Sequence, residues 1–218
     1  MLTNGATGKI DFNADIGESF AGYELGLDSE IVKYITSANI ATGFHAGDPD
    51  WMAKTVALAV DNSVGIGAHP AYPDLAGFGR RNMDLTPAEV HNAVTYQVGA
   101  LAAFAPNRKL QHVKPHGALY NTAVRDAGVA EAIVLAVKAF DPNLIHVVLA
   151  GSQWEQIARS HGVRVARECY ADRAVTAEGT LVPRSQPGAV VHDPDEVVAR
   201  SLKLATEGKV TAVDGTEI

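Results

Sequence analysis

Three histidines and two flanking charged residues carry the first hint of chemistry. His45 and His69 each close a run of small and apolar residues, and His116 follows Lys114 by two positions. Upstream stand Asn13 and Asp15, also two apart and therefore on one face of an extended segment. Imidazoles with a carboxylate suit two kinds of site. Asp15, His45, His69 and His116 offer an oxygen-and-nitrogen ligand set for a divalent metal, and Asp15, His45 and His69 alone would leave a coordination position for water. Without a metal, a carboxylate orients a histidine, the histidine takes a proton from water, and Lys114 with Arg80 steadies negative charge. Residue types do not choose between the two, and the His-x-x-x-His signature of a helical metal site is not present. Further along, Glu168, Asp172 and Arg173 form a second charged group within six residues.

The elements that must position these groups repeat one pattern. Seven β-rich runs, at 9–15, 39–44, 64–69, 111–116, 146–151, 164–170 and 209–214, alternate with amphipathic stretches. In the latter, apolar residues fall three or four apart, as in Ile31/Ile35/Ala38, Val90/Val94/Val98/Leu101 and Ile133/Val137/Phe140. Helix starts are marked by Thr86, Ser152 and Asp193, each three residues before a glutamate. Asp48-Pro49 fits the same scheme, so Asp48 is a helix cap, a site residue, or both. The pattern predicts one domain over residues 1–218, a seven-stranded parallel β/α barrel in preference to an open doubly wound sheet. Neither Gly-x-Gly-x-x-Gly after a strand nor a Walker phosphate loop occurs.

In such a barrel the active site gathers at the carboxyl ends of the strands. Asn13, Asp15, His45, His69, Lys114, His116 and Glu168 all fall there in this reading, with Asp172 and Arg173 just beyond. Gly43, Ala41, Gly67 and Gly65, on the same face as His45 and His69, predict space for a ligand or water beneath the two imidazoles. His91, His161 and His192 read as surface or cap residues, and His112 and His146 as residues of the opposite, stabilising face.

Composition removes several alternatives. The formal charge of −7 is spread along the chain with no cluster of Lys and Arg, which argues against nucleic acid as a partner. No apolar run reaches the ~20 residues of a membrane span, and residues 1–8 lack the basic start and apolar core of a signal peptide, so a cytoplasmic protein is expected. A homo-oligomer is compatible with all of this. The single cysteine, Cys169, excludes an intrachain disulfide and reads as a small buried hydrophobe.

Several long motifs in order resemble the LamB/YcsF family: Asn13-Ala-Asp-Ile-Gly-Glu-Ser19, Ser37 through Pro49, Gly65 through Asp74, Gly77-Phe-Gly-Arg80 and Val113-Lys-Pro-His-Gly-Ala-Leu-Tyr120. Glu168-Cys-Tyr-Ala-Asp-Arg173 and Leu181-Val-Pro-Arg-Ser185 extend the resemblance over nearly the whole chain. It implies a barrel similar to the glycoside hydrolase and deacetylase superfamily. It also implies an ATP-dependent opening of 5-oxoproline to glutamate by a complex with two further subunits, B and C. The positions that match the family's motifs are Asp15, His45, Asp48, His69, Arg80, Lys114, His116, Glu168, Asp172 and Arg173. For that chemistry Asp15, His45, Lys114, His116 and Glu168 are the expected catalytic group, His116 being the preferred acid or base. Asn13, Asp48, His69, Arg80, Asp172 and Arg173 are the expected substrate contacts. Members of the family continue past Val213-Asp-Gly215 into a further strand and helix, so two alternatives stand: such a segment follows Ile218, or this protein lacks part of its active face. The alternatives are a metal-dependent amide or carbohydrate deacetylase and a non-catalytic subunit that binds a metabolite.

Overall fold

The computed structural model describes residues 10–218; Lys9 and the segment 1–8 lie outside the described residues. Six parallel strands form one sheet in strictly sequential order, β1 to β6. They are β1 (Asn13–Ile16), β2 (Ser37–Ala41), β3 (Gly65–His69), β4 (His112–Val113), β5 (Ile145–Leu149) and β6 (Arg164–Glu168). Helices α1 (Asp28–Ile31), α2 (Pro49–Asp61), α3 (Pro87–Phe104), α4 (Gly117–Arg125), α5 (Ala127–Phe140), α6 (Gln153–Ser160) and α7 (Pro194–Glu207) connect or follow them. Sequential parallel order with helical crossovers curls a sheet toward a barrel, and six strands give a half-barrel. The main core lies between sheet and helices, where Ile40, Ile66, Val94, Leu101, Ile133, Leu144 and Trp154 are almost fully buried.

The seventh strand predicted at 209–214 does not join the sheet. Val210 exchanges backbone hydrogen bonds with Ile218, and Ala212 N–H donates to Thr216. Asp214 accepts from the Thr216 N–H, and Gly215 takes φ +87°, so the segment folds back on itself as a tight turn. Its Val213 is exposed. A local hairpin satisfies these backbone groups at far lower loop-closure cost than a distant strand. Among the described residues no ladder joins β6 to β1.

Two other expectations change for local reasons. The helical spacing Ile31/Ile35/Ala38 is broken because Thr36 and Ser37 bond Asp11, Thr36 N–H donates to Phe12, and β2 begins at Ser37. Cys169 is exposed: side chains alternate along β6, and Glu168, its neighbour, takes the inward position.

The capping residues behave as their chemistry requires. Thr86 and Glu89 form a reciprocal capping box, and Ser152 accepts from Glu155 N–H. Asp48 accepts from the N–H groups of Asp50 and Trp51 at 2.9 and 3.0 Å, and its second oxygen accepts from Ala21 N–H, which fastens the loop after β1 to α2. Asp48→Ala is expected to cost about 1–2 kcal/mol, the usual value of such a cap, in urea unfolding; an unchanged midpoint would remove this role.

His146, on β5, is buried, and burial alone pushes its pKa down to about 4. The unfolded chain, with an ordinary histidine near 6.5, takes up the proton first, so stability is lost as pH falls below about 6.5 and the loss saturates near the folded value. That amounts to about 2 kcal/mol between pH 7 and pH 5. His146→Leu should flatten the decline in unfolding free energy over this range, and an identical slope in the variant would show that the proton binds elsewhere.

Candidate active site

At the carboxyl ends of the strands the inward side chains form a continuous polar layer. Its centre is the Lys114 ammonium, which lies 3.0 Å from Asp15 Oδ1, 2.9 Å from Glu168 Oε1 and 3.2 Å from Asn13 Oδ1. Burial alone would depress the lysine pKa, but the charges of Asp15 and Glu168 outweigh it and the net shift is upward. Tyr170 donates to Glu168 Oε2 at 2.7 Å. On the other side Asn39 donates to Asn13 and Asp15, and its own carbonyl oxygen accepts from His112 Nε2 at 2.8 Å.

This last contact overturns the expected cavity beneath His69. A side chain on Gly67 would meet His112 Nε2 at 2.0 Å, so the missing Cβ is the passage through which the His112 imidazole reaches Asn39. Gly65 makes room for Gln111 in the same way. Gly65 and Gly67 accommodate two protein side chains rather than a ligand. His112, which the sequence pattern assigned to the stability face, is therefore part of the polar layer.

Above that layer sit the three histidines and an acid that strand counting misses. Gly17, at φ +69°, turns the chain off β1 and places Glu18 over the strand ends. Glu18 Oε1 lies 2.9 Å from His45 Nε2, 3.4 Å from His116 Nδ1 and 3.9 Å from His69 Nε2. His69 Nε2 is 3.0 Å from His116 Nδ1 and 3.3 Å from Asp15 Oδ2. His45 stacks on His116, ring centres 3.9 Å apart and planes within 4°. It lies in the turn after β2, not on the strand, and its buried Nδ1 has no partner among the described residues. Ligand atoms of Glu18, His45, His69 and His116 all fall within 4.8 Å of one another, a set able to hold a metal ion. Relative to the four ligands read from sequence, Glu18 enters, the three histidines stay and Asp15 stands beside the set.

Burial and mutual repulsion separate the charge states of the group. Burial opposes ionisation of Asp15, yet His69 and Lys114 hold its pKa well below the usual carboxylate range. Burial raises that of Glu18. His69 is raised because Asp15 overcomes its burial, whereas burial and the His69 charge lower His45, and burial with His69 and His45 lowers His116 to about 3. Asp15 is nevertheless 36% exposed, so this carboxylate opens onto the mouth of the site.

Of the other residues singled out from sequence, Arg80 is exposed at the rim, its guanidinium carbon 5.0 Å from the centre of the Phe78 ring. Asp48 serves the helix cap. Asp172 is exposed, and the buried Arg173 donates to the carbonyls of Ala189 and Val182, holding the loop after β6 around Ala174, Val182 and Ala189. Asp48, Asp172 and Arg173 are not brought into the histidine cluster, and Arg80 stands at its rim.

An open β/α half-barrel with carboxylates, imidazoles and a buried lysine at its strand ends defines a small-molecule site of the kind α/β enzymes use. The LamB/YcsF family model matches residues 10–218, and the chain belongs to that family. It is 56% identical over 209 residues to the A subunit of 5-oxoprolinase from Pyrococcus furiosus, covering 95% of this chain and 82% of that protein. It is 54% identical over 212 residues to the protein of the same name from Syntrophobacter fumaroxidans, covering 96% and 84%. The crystal structure of a lactam utilization protein from Thermus thermophilus superposes with a TM-score of 0.91 at 51% identity, over 96% of this chain and 85% of that one.

Lys114→Met would leave Glu168, 4% exposed, without its counter-charge. A loss of about 3–5 kcal/mol is expected in chemical unfolding, with part recovered by adding Glu168→Gln. A single variant as stable as the parent would show that the ammonium is dispensable to the fold.

Proposed function

We infer that this chain is one component of an ATP-dependent 5-oxoprolinase, opening the lactam ring of 5-oxo-L-proline to give L-glutamate. The observation that carries the reading is the Asp15 carboxylate, kept ionised by Lys114 and His69 yet open to the mouth of the site, in a chain more than half identical to proteins named as the A subunit of 5-oxoprolinase. Ring opening breaks the amide C–N bond: water supplies hydroxyl to the carbonyl carbon and a proton goes to the nitrogen. A five-membered lactam is a stabilised amide, so ATP supplies the driving force: its terminal phosphoryl group passes to the amide oxygen as ADP leaves, and after the C–N bond has broken a second water releases it as inorganic phosphate. A weak base suffices against a carbon activated in that way.

Asp15 is the group that orients the attacking water and takes its proton. His116 suits that step less well, because its Nε2 is bound to the Phe78 carbonyl at 2.9 Å and its Nδ1 faces His69. Lys114, with Glu168 and Asn13 around it, fixes Asp15 in place. Arg80 at the rim offers a cation for the substrate carboxylate or the phosphate. ATP belongs to the complex, whose other members are the B and C subunits of 5-oxoprolinase, and the cytoplasm is its place of work. No helix among the described residues is long and apolar enough to cross a membrane.

The test is glutamate formation from 5-oxoproline and ATP by this chain alone and with both partner subunits. Turnover is expected only in the reconstituted complex, and Asp15→Asn should lower it by about 10²–10⁴-fold while leaving association intact. Vigorous turnover by the lone chain, or near-normal turnover by the variant complex, would refute the assignment.

A further inference from the structure

The hydrogen bonds of the cluster fix where its protons are. His69 Nδ1 lies 2.6 Å from the carbonyl oxygen of Lys114, and His116 Nε2 lies 2.9 Å from that of Phe78. A carbonyl only accepts, so both of those nitrogens carry hydrogen. In the neutral rings the remaining nitrogens, His69 Nε2 and His116 Nδ1, are then bare lone pairs, and they face each other across 3.0 Å. Two neutral imidazoles in those tautomers repel. Something positive must sit between them, a proton or a metal ion.

A third donor decides between the two. Glu18 Oε1 stands 3.4 Å from His116 Nδ1 and 3.9 Å from His69 Nε2. The point equidistant from these three atoms lies about 2.0 Å from each, the length of a zinc–nitrogen or zinc–carboxylate bond. A shared proton engages only the two nitrogens, whereas an ion at that point is met by lone pairs of all three atoms. We propose that His69 Nε2, His116 Nδ1 and Glu18 Oε1 bind one first-row divalent ion of the zinc class.

The surrounding groups fit that assignment. Metal-bound histidines characteristically donate their other ring N–H to a carbonyl or carboxylate, as His69 and His116 do here. Two imidazoles with one carboxylate favour zinc and its neighbours over calcium or magnesium, which prefer oxygen. His45 is excluded as a ligand by its parallel stacking on His116, since an ion in the plane of one ring cannot lie in the plane of the other. It is a positioning residue whose Nε2, 2.9 Å from Glu18 Oε1, holds the carboxylate in place. The ion keeps positions open toward Asp15, whose Oδ2 is 3.3 Å from His69 Nε2. An ion of this class polarises a bound carbonyl or lowers the pKa of coordinated water.

The site stands on geometry alone, so its test needs no substrate and leaves the ring-opening reading untouched whichever way it falls. Chelator-stripped chain is dialysed against micromolar zinc and its metal content measured; cobalt(II) is used in parallel for its visible absorption. Wild type is expected to take up one equivalent of zinc and to give the cobalt spectrum of a low-coordinate site. Glu18→Gln and His116→Gln, each checked for folding by circular dichroism, should lose stoichiometric binding. His45→Gln should still bind one ion, about 10–100-fold more weakly, as expected for a residue that supports a ligand. If His116→Gln fails to fold, Glu18→Gln alone decides. Failure of wild type to bind would assign the 3.0 Å contact to a shared proton, and wild-type binding by the folded ligand variants would place the ion elsewhere. Complete loss in His45→Gln would overturn the choice of ligands.

Discussion

The ammonium of Lys114 is the interaction on which the rest of the site depends. It reaches from the end of β4 to Asp15 on β1 and Glu168 on β6, elements that no ladder joins directly. An open parallel sheet has nothing in its backbone pairing to fix how far its two edges approach. A buried cation between two carboxylates supplies that distance, because each charge is stable in the interior only while the others are beside it. Asp15 is thereby aimed at His69, and His69 at His116. The polar layer is both the ceiling of the half-barrel and the floor of the site.

Sequence periodicity made much of this visible. Parallel strands put residues two apart on one face, so Asn13 with Asp15, and Lys114 with His116, emerge from alternation alone, and the carboxyl-end rule brings them together with Glu168. Pro at the first helical position and an acidic or hydroxylic residue before it announce α2, α3 and α7. What alternation cannot see begins where the strands stop. Glu18 is displaced by the left-handed turn at Gly17, so counting by two from Asp15 passes it; the signal is an acid directly after a glycine at a strand end. His45 stands in a turn whose path no period describes.

The other misreadings come from contacts that the pattern of a single segment does not reveal. Gly65 and Gly67 advertise empty volume, but a missing side chain on one strand is filled by a long one on the next, and the register that joins Gly67 to His112 is invisible in a single segment. The 209–214 run has the composition of a strand and the turn chemistry of a hairpin, and proximity of partners decided in favour of the latter. Arg173 looked like a cation for a ligand; the carbonyls of its own loop are nearer and satisfy it.

The tautomers of His69 and His116 are set by the main-chain oxygens of Lys114 and Phe78. No side-chain replacement at those two positions can delete the acceptor, since every amino acid carries the same carbonyl. The chemical identity of the two imidazoles is therefore insulated from point mutation in the groups that orient them and exposed to anything that shifts the peptide plane. Phe78 has φ +55°, a conformation glycine would hold at less cost and proline could not adopt. Insertions, deletions and proline in the 74–80 turn are the changes to which this pair of rings is vulnerable, together with any side chain on Gly79, whose Cβ would meet both His45 and His116.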